Sequence, residues 1–105
     1  MATIDTDILN IHHDTKERKF FLVQKGEDIE DAYVEYELHT DTNPNTMHFV
    51  STYVPKTIRD IGVGKKMTEE AMLFAETNDY QVSSSCPFVQ SYMNQTPRFS
   101  KLYRR

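Results

Sequence analysis

Two stretches of this 105-residue chain place chemically capable residues at a spacing that carries information. The first is Arg59-Asp60-Ile61-Gly62-Val63-Gly64, which follows the strand-like Thr52-Tyr53-Val54-Pro55 and runs through Lys65 and Lys66 into a helical pattern. A strand, a tight glycine turn and a helix start form a backbone device for holding a phosphate or pyrophosphate. Glycines permit the turn, amides of about Ile61 to Lys65 converge, and the helix dipole adds a positive end. The second stretch is Cys86-Pro87-Phe88-Val89, which puts a thiol where a strand ends and a helix begins. A helix N-terminus lowers the pKa of a thiol, although most free cysteines are small buried hydrophobes, and both readings of Cys86 stand. Gly62 alone could equally be a plain helix cap. Tyr92, one turn into that helix, is a possible acid, and Glu35, Glu37 or His48 could serve as a base through water, with no spacing that selects among them.

Other phosphate motifs fail on single residues. A Walker A loop needs glycine where Arg59 stands and Ser or Thr where Lys66 stands. A dinucleotide fingerprint starting at Gly62 needs Gly or Ala where Met67 stands, and a βαβ unit near the start of the chain. His12-His13 lacks a third ligand at a helical interval and Cys86 is the single cysteine, so no metal site and no internal disulfide is expected.

The elements that must position these residues follow from periodicity. Residues 1–7 are polar and read as a frayed end. Ile8 to His13 and Lys19 to Gln24 form a hairpin around Asp14–Glu17, and Gly26-Glu27-Asp28 is the next turn. Ala32, Val34, Tyr36 and Leu38 alternate with polar or aromatic partners as a strand with one face inward. After the turn Asp41–Asn45, Thr46 to Val54 reads as a central strand, with Met47, Phe49 and Tyr53 on one face and Val50 and Val54 on the other. Val63, Met67, Ala71, Phe74 and Ala75 then mark a helix that ends near Asn78. Tyr80 to Ser84 should run parallel to the Thr46–Val54 strand, since a helix crossover separates them. Pro87 and Pro97 each open a further helical segment. The fold class is α+β: an antiparallel meander of about four strands, a βαβ unit and a short C-terminal helix, in a single domain over residues 1–105.

Net charge is −4, split unevenly. Residues 1–55 carry eleven acidic and four basic side chains, a balance of −7; residues 56–105 carry five and eight, a balance of +3. A cationic second half suits an anionic ligand within the Debye length of about 8 Å, and the acidic first half suits a cationic acceptor. Overall acidity argues against nucleic acid. No run approaches the roughly 20 apolar residues of a membrane span and no signal pattern opens the chain, so a cytoplasmic protein is expected.

With Arg59–Gly64 fitting the pattern Arg/Gln-x-x-Gly-x-Gly/Ala after a strand and opening a helix, the chain resembles the GNAT superfamily of acetyl-CoA-dependent N-acetyltransferases. Taken with Thr52–Pro55 and Cys86-Pro87-Phe88-Val89, it resembles the very small stand-alone GNAT-like proteins. The likeness covers the whole predicted order of elements, and its specific motifs lie in residues 52–66 and 85–92. It implies acetyl-CoA as cofactor and direct attack of a bound amine on the thioester. Tyr53 and Val54 would pair with the pantetheine arm, and Arg59, Asp60, Ile61, Gly62, Val63, Gly64 and Lys65 would hold the pyrophosphate. Cys86 would lie near the thioester, as a reactive or a lining group, with Tyr92 a candidate acid by its place in the helix alone. The acceptor would be a small-molecule or peptide amine. A chain this short also fits a CoA or acyl-CoA binding module with little or no turnover.

Overall fold

The structure, a computed structural model, describes residues 11–23, 30–56 and 62–103. The expected frayed residues 1–7, the Gly26–Asp28 turn, and Arg59, Asp60 and Ile61 of the glycine motif lie outside the described residues.

Alternating sequence builds a five-stranded sheet in chain order: β1 (Ile11–Asp14), β2 (Lys19–Val23), β3 (Glu30–His39), β4 (Thr46–Tyr53) and β5 (Gln81–Ser84). The first four strands form an antiparallel meander, and β5 adds in parallel to β4. Between β4 and β5 the chain crosses over through helix α1 (Val63–Thr77); after β5 come α2 (Pro87–Gln95) and a 3-10 helix (Pro97–Leu102). The α+β order therefore stands as the sequence indicates, with the C-terminal helical part divided in two at Pro97. Asn78 caps α1 with its backbone amide and its side-chain amide, both on the Phe74 carbonyl.

Packing is one-sided. Phe20, Leu22, Ala32, Val34, Tyr36, Met47 and Phe49 are buried and face α1, whose Val63, Met67, Ala71, Met72 and Ala75 are buried in return. Val89, Tyr92 and Met93 of α2 and Phe99 of the 3-10 helix join the same cluster, so all described helices lie on one face of the sheet. Met72 falls outside the stripe read from the sequence yet is fully buried, because α1 is flanked by α2 and the 3-10 helix as well as by the sheet.

One expectation about faces is overturned. Tyr36 pairs with Phe49 and Glu35 with Ser51, so Val50 is an extra residue in β4. Such a bulge shifts the period of two by one residue. Thr52, paired with the buried Val34, thus continues the inward face of Phe49, and Val54 is buried with it. Tyr53 turns to the opposite face against Tyr33, with ring centroids 5.7 Å apart.

Candidate functional site

Helix α1 opens at Gly62, whose φ of 83° and ψ of 20° place it in the left-handed region that glycine enters without strain. Lys66 N–H donates to the Gly62 carbonyl at 2.9 Å as the first helical bond. The amides of Val63, Gly64 and Lys65 precede that bond and have no intrahelical acceptor. Gly62 supplies no side-chain cap, and no acidic residue stands in the first turn to offset the dipole. Lys66 is drawn along the helix, 3.3 Å from Glu69 and 3.4 Å from Glu70, and the hydrogen bond to Glu69 raises its ammonium pKa. Lys65, exposed, stays at the mouth.

Gly64 is required for space rather than for conformation. A Cβ there would stand 2.9 Å from Phe88 Cζ, closer than packed carbon atoms approach, and 3.2 Å from Val54 Cγ2, a tight contact. The buried Thr68 hydroxyl donates to the Gly64 carbonyl at 2.8 Å and fixes this first turn. Phe88 is 43% exposed and lies over the glycine from α2. The second glycine of the motif thus keeps a slot open between the two helices and the end of β4.

A fork in the sheet lies beside this slot. The parallel ladder ends at Phe49↔Ser84, and Ser85 N–H donates to the Phe49 carbonyl at 3.0 Å. From there β5 turns away through Cys86 into α2, while β4 continues to Tyr53. The turn is held by side chains: Ser84 Oγ accepts from Cys86 N–H at 2.9 Å, and Gln90 Nε2 donates to the Ser84 carbonyl at 2.9 Å. Across the fork the Cys86 thiol donates to Thr52 Oγ1 at 3.4 Å. Cys86 is buried, at the N-cap of α2.

Slot and fork together make a cavity of about 310 Å³ lined by Thr52, Tyr53, Val54, Gly62, Gly64, Lys65 and Phe88. A second cavity of about 240 Å³ shares Lys65 and Phe88 and continues along α2 past Ser91, Tyr92, Gln95 and Thr96. Burial raises the Tyr92 pKa, against the lowering effect of its hydrogen bond to Thr96, so the phenol stays protonated at neutral pH.

Of the residues read as a site in the sequence, the structure brings Tyr53, Val54, Gly62, Gly64 and Lys65 to one cavity, with Val63 in the turn between them. Cys86 reaches that cavity's wall through Thr52, whereas Tyr92 lines the neighbouring one across Phe88. Arg59, Asp60 and Ile61 belong to the undescribed residues. Sequence reasoning missed Thr52 and Phe88 as wall residues. Phe88 carried a signal, a large apolar residue next to Val89 on the helix face away from the core. Thr52 carried none, because the Val50 bulge that turns it inward leaves no mark in the pattern. Glu35, Glu37 and His48 lie on the sheet face opposite the helices. Among the described residues, no helix is long and apolar enough to cross a membrane.

Comparison with known proteins fits this geometry. A family profile described as GCN5-related N-acetyl-transferase matches residues 19–102. No curated protein matches the chain in sequence. Among solved structures, the NMR solution structure of a GCN5-like protein from Staphylococcus aureus superposes with a TM-score of 0.71 at 24% identity, over 91% of this chain and 88% of that one.

Proposed function

We propose, from the premise that this chain belongs to the GCN5-related N-acetyltransferase family, that it binds acetyl-CoA in the cleft between the β4 end and α1 and passes the acetyl group to an amine. The observation that carries this reading is the joining of three features in one cavity: helix-start amides without an intrahelical acceptor, a glycine slot and the end of β4 where β5 leaves it. Each answers one part of the cofactor. The Val63, Gly64 and Lys65 amides offer charge-assisted hydrogen bonds to a pyrophosphate, each contributing about 1.5–3 kcal/mol. The Lys65 side chain adds a cation at the mouth of both cavities. Tyr53 and Val54 supply the backbone edge for the pantetheine arm. Roles for Arg59, Asp60 and Ile61 on the pyrophosphate rest on the motif alone.

When bound, acetyl-CoA supplies an acetyl group activated as a thioester. Orienting it against an amine is most of what this chain has to do, since bound reactants avoid much of the entropy loss of a bimolecular step. Thr52 and Cys86 flank the fork on the helix side. The thiol stands beside the reacting end in this reading. Tyr92 holds its proton and is the acid available across Phe88.

Calorimetry with CoA tests the cleft. Gly64→Glu should abolish binding, because the new side chain has no room between Phe88 and Val54 and puts a carboxylate where the pyrophosphate would lie. Circular dichroism of the variant, which should match the wild type, separates lost binding from a lost fold. Unchanged affinity would remove the pyrophosphate assignment. Mass spectrometry after incubation with acetyl-CoA and mixed amines reads the transfer itself; saturable binding without product would favour a binding module.

A further inference from the structure

The sheet face opposite the helices carries an ordered set of side chains that the acetyl-CoA cleft does not use. Glu37, His48 and Ser83 stand side by side on β3, β4 and β5. His48 Nδ1 is 2.7 Å from Ser83 Oγ, and its Nε2 is 3.3 Å from Ser85 Oγ. The ring stacks on His39 at 5.7 Å, and His39 Nε2 is 3.0 Å from Glu37 Oε1. Beyond the bulge, Ser51 donates to Glu35 at 2.9 Å. Further still, His12, Phe21, Tyr33 and Tyr53 pair in register as an aromatic row across four strands that ends at the cleft.

Two properties single out His48. Both of its partners are hydroxyls, which donate or accept as needed. Either neutral tautomer and the imidazolium can therefore keep both bonds, so the ring takes up or releases a proton without rearranging its neighbours. It also stands one residue before the fork: Ser85, which its Nε2 meets, donates its N–H to the Phe49 carbonyl where the ladder ends. The Cys86 thiol approaches the fork from the helix side and the imidazole from the other.

We propose that His48 is the general base of the transfer and that the amine reaches it across this helix-free face; the proposal rests on the acyl-transfer reading above. On the helix side the fork is flanked by Thr52, Val54 and Cys86 and opens on the cleft that the cofactor fills in this reading, so an acceptor comes from the other face. There Glu35, Glu37 and the aromatic row suit a cationic aliphatic amine. An ammonium gives one proton to His48 Nε2, directly or through the Ser85 hydroxyl. The freed lone pair forms the C–N bond as the C–S bond breaks, Tyr92 gives its proton to the departing sulfur, and the second N–H proton restores the phenol. The products are one amide, one thiol and one proton, which His48 returns to water. The charged and titratable groups facing the ring are Glu37 and His39 of β3, with Glu35 beyond them; β5 contributes the uncharged Ser83 and Ser85.

The test uses spermidine as the probe amine and follows thiol release from acetyl-CoA across the range in which imidazole titrates. CoA calorimetry and NMR of the histidine rings in the protein without CoA accompany it. His48→Gln should lower kcat about 100-fold or more and remove the acid limb of the kcat/KM profile, with CoA affinity unchanged. Spermidine should shift the His48 ring signals and leave those of His13, on the covered face, in place. If His48→Gln also loses CoA binding, Ser85→Ala decides, by displacing the acid limb while CoA still binds. A full rate with an intact acid limb in the variants, a silent His48 ring, or CoA binding with no thiol release would each overturn the assignment. Failure of the wild-type protein to bind CoA would instead overturn the acyl-transfer reading itself.

Discussion

His13 and His48 occupy opposite faces of one sheet, and their surroundings differ in every respect that governs protonation. His13 lies on the helix-covered face, stacked on Phe20 at 4.0 Å, edge-on to Phe74 at 4.5 Å, with Nε2 2.6 Å from the Tyr36 hydroxyl. Burial lowers its pKa, and the nearby Asp14 offsets that only in part. His48, on the open face, is held by two serines that accept either charge state. The covered face disfavours a charged ring; the open face meets its ring with hydroxyls. That contrast extends to the faces as wholes, one spent on packing and the other on polar and aromatic rows.

The largest effect that can break this division is a cavity. Phe49→Ala removes a fully buried ring from the covered face and should cost about 3–5 kcal/mol by urea unfolding. Tyr53→Ala removes a ring of similar size, 49% exposed on the other face, and should cost under about 1 kcal/mol. Similar losses from the two would show that the open face is structural after all, covered in solution by something that packs against it.

How far the chain could be read without coordinates follows the same line. The covered face is written in periods: β3 alternates with Ala32, Val34 and Tyr36 inward, and α1 carries its stripe, because packing demands regular spacing. The motif around Gly62 was also legible, since Gly62 adopts the left-handed conformation that a tight turn requires. Gly64 was legible only in part. Its identity marked the turn, but the reason for it, a gap of 2.9 Å to Phe88, depends on a residue 24 positions later. The open-face rows were not legible. They arise from register across β3, β4 and β5, and the Val50 bulge moved Tyr53 out of the face that alternation assigned to it.

The intermediate test is pH. With a folded pKa held below the ordinary imidazole value of about 6.5, His13 binds fewer protons in the folded than in the unfolded state. Its contribution is complete above the unfolded value and is lost as pH falls through the lowered folded value. Unfolding free energy should therefore decline with acidification over that window, and His13→Phe should flatten that part of the curve. An equal slope in the variant would mean that the covered face tolerates the charge, and the contrast between the two histidines would collapse.

The smallest expected effect is the most exacting for the open face. Glu37 and His39 form an exposed pair, with side chains 58% and 42% accessible, and pairs of this kind contribute little because water screens them. Glu37→Gln should change unfolding free energy by less than about 0.5 kcal/mol, and added salt should change it no further. If His48 does the proposed work, the same variant acts on chemistry where it does not act on stability. Removing the carboxylate frees His39, which stacks on the His48 ring, so the acid limb of kcat/KM should change. A substitution silent in urea but visible in the pH profile would separate the two faces by function as well as by packing. One that destabilised the fold without moving the profile would place Glu37 among the structural residues and leave His48 without its electrostatic neighbour.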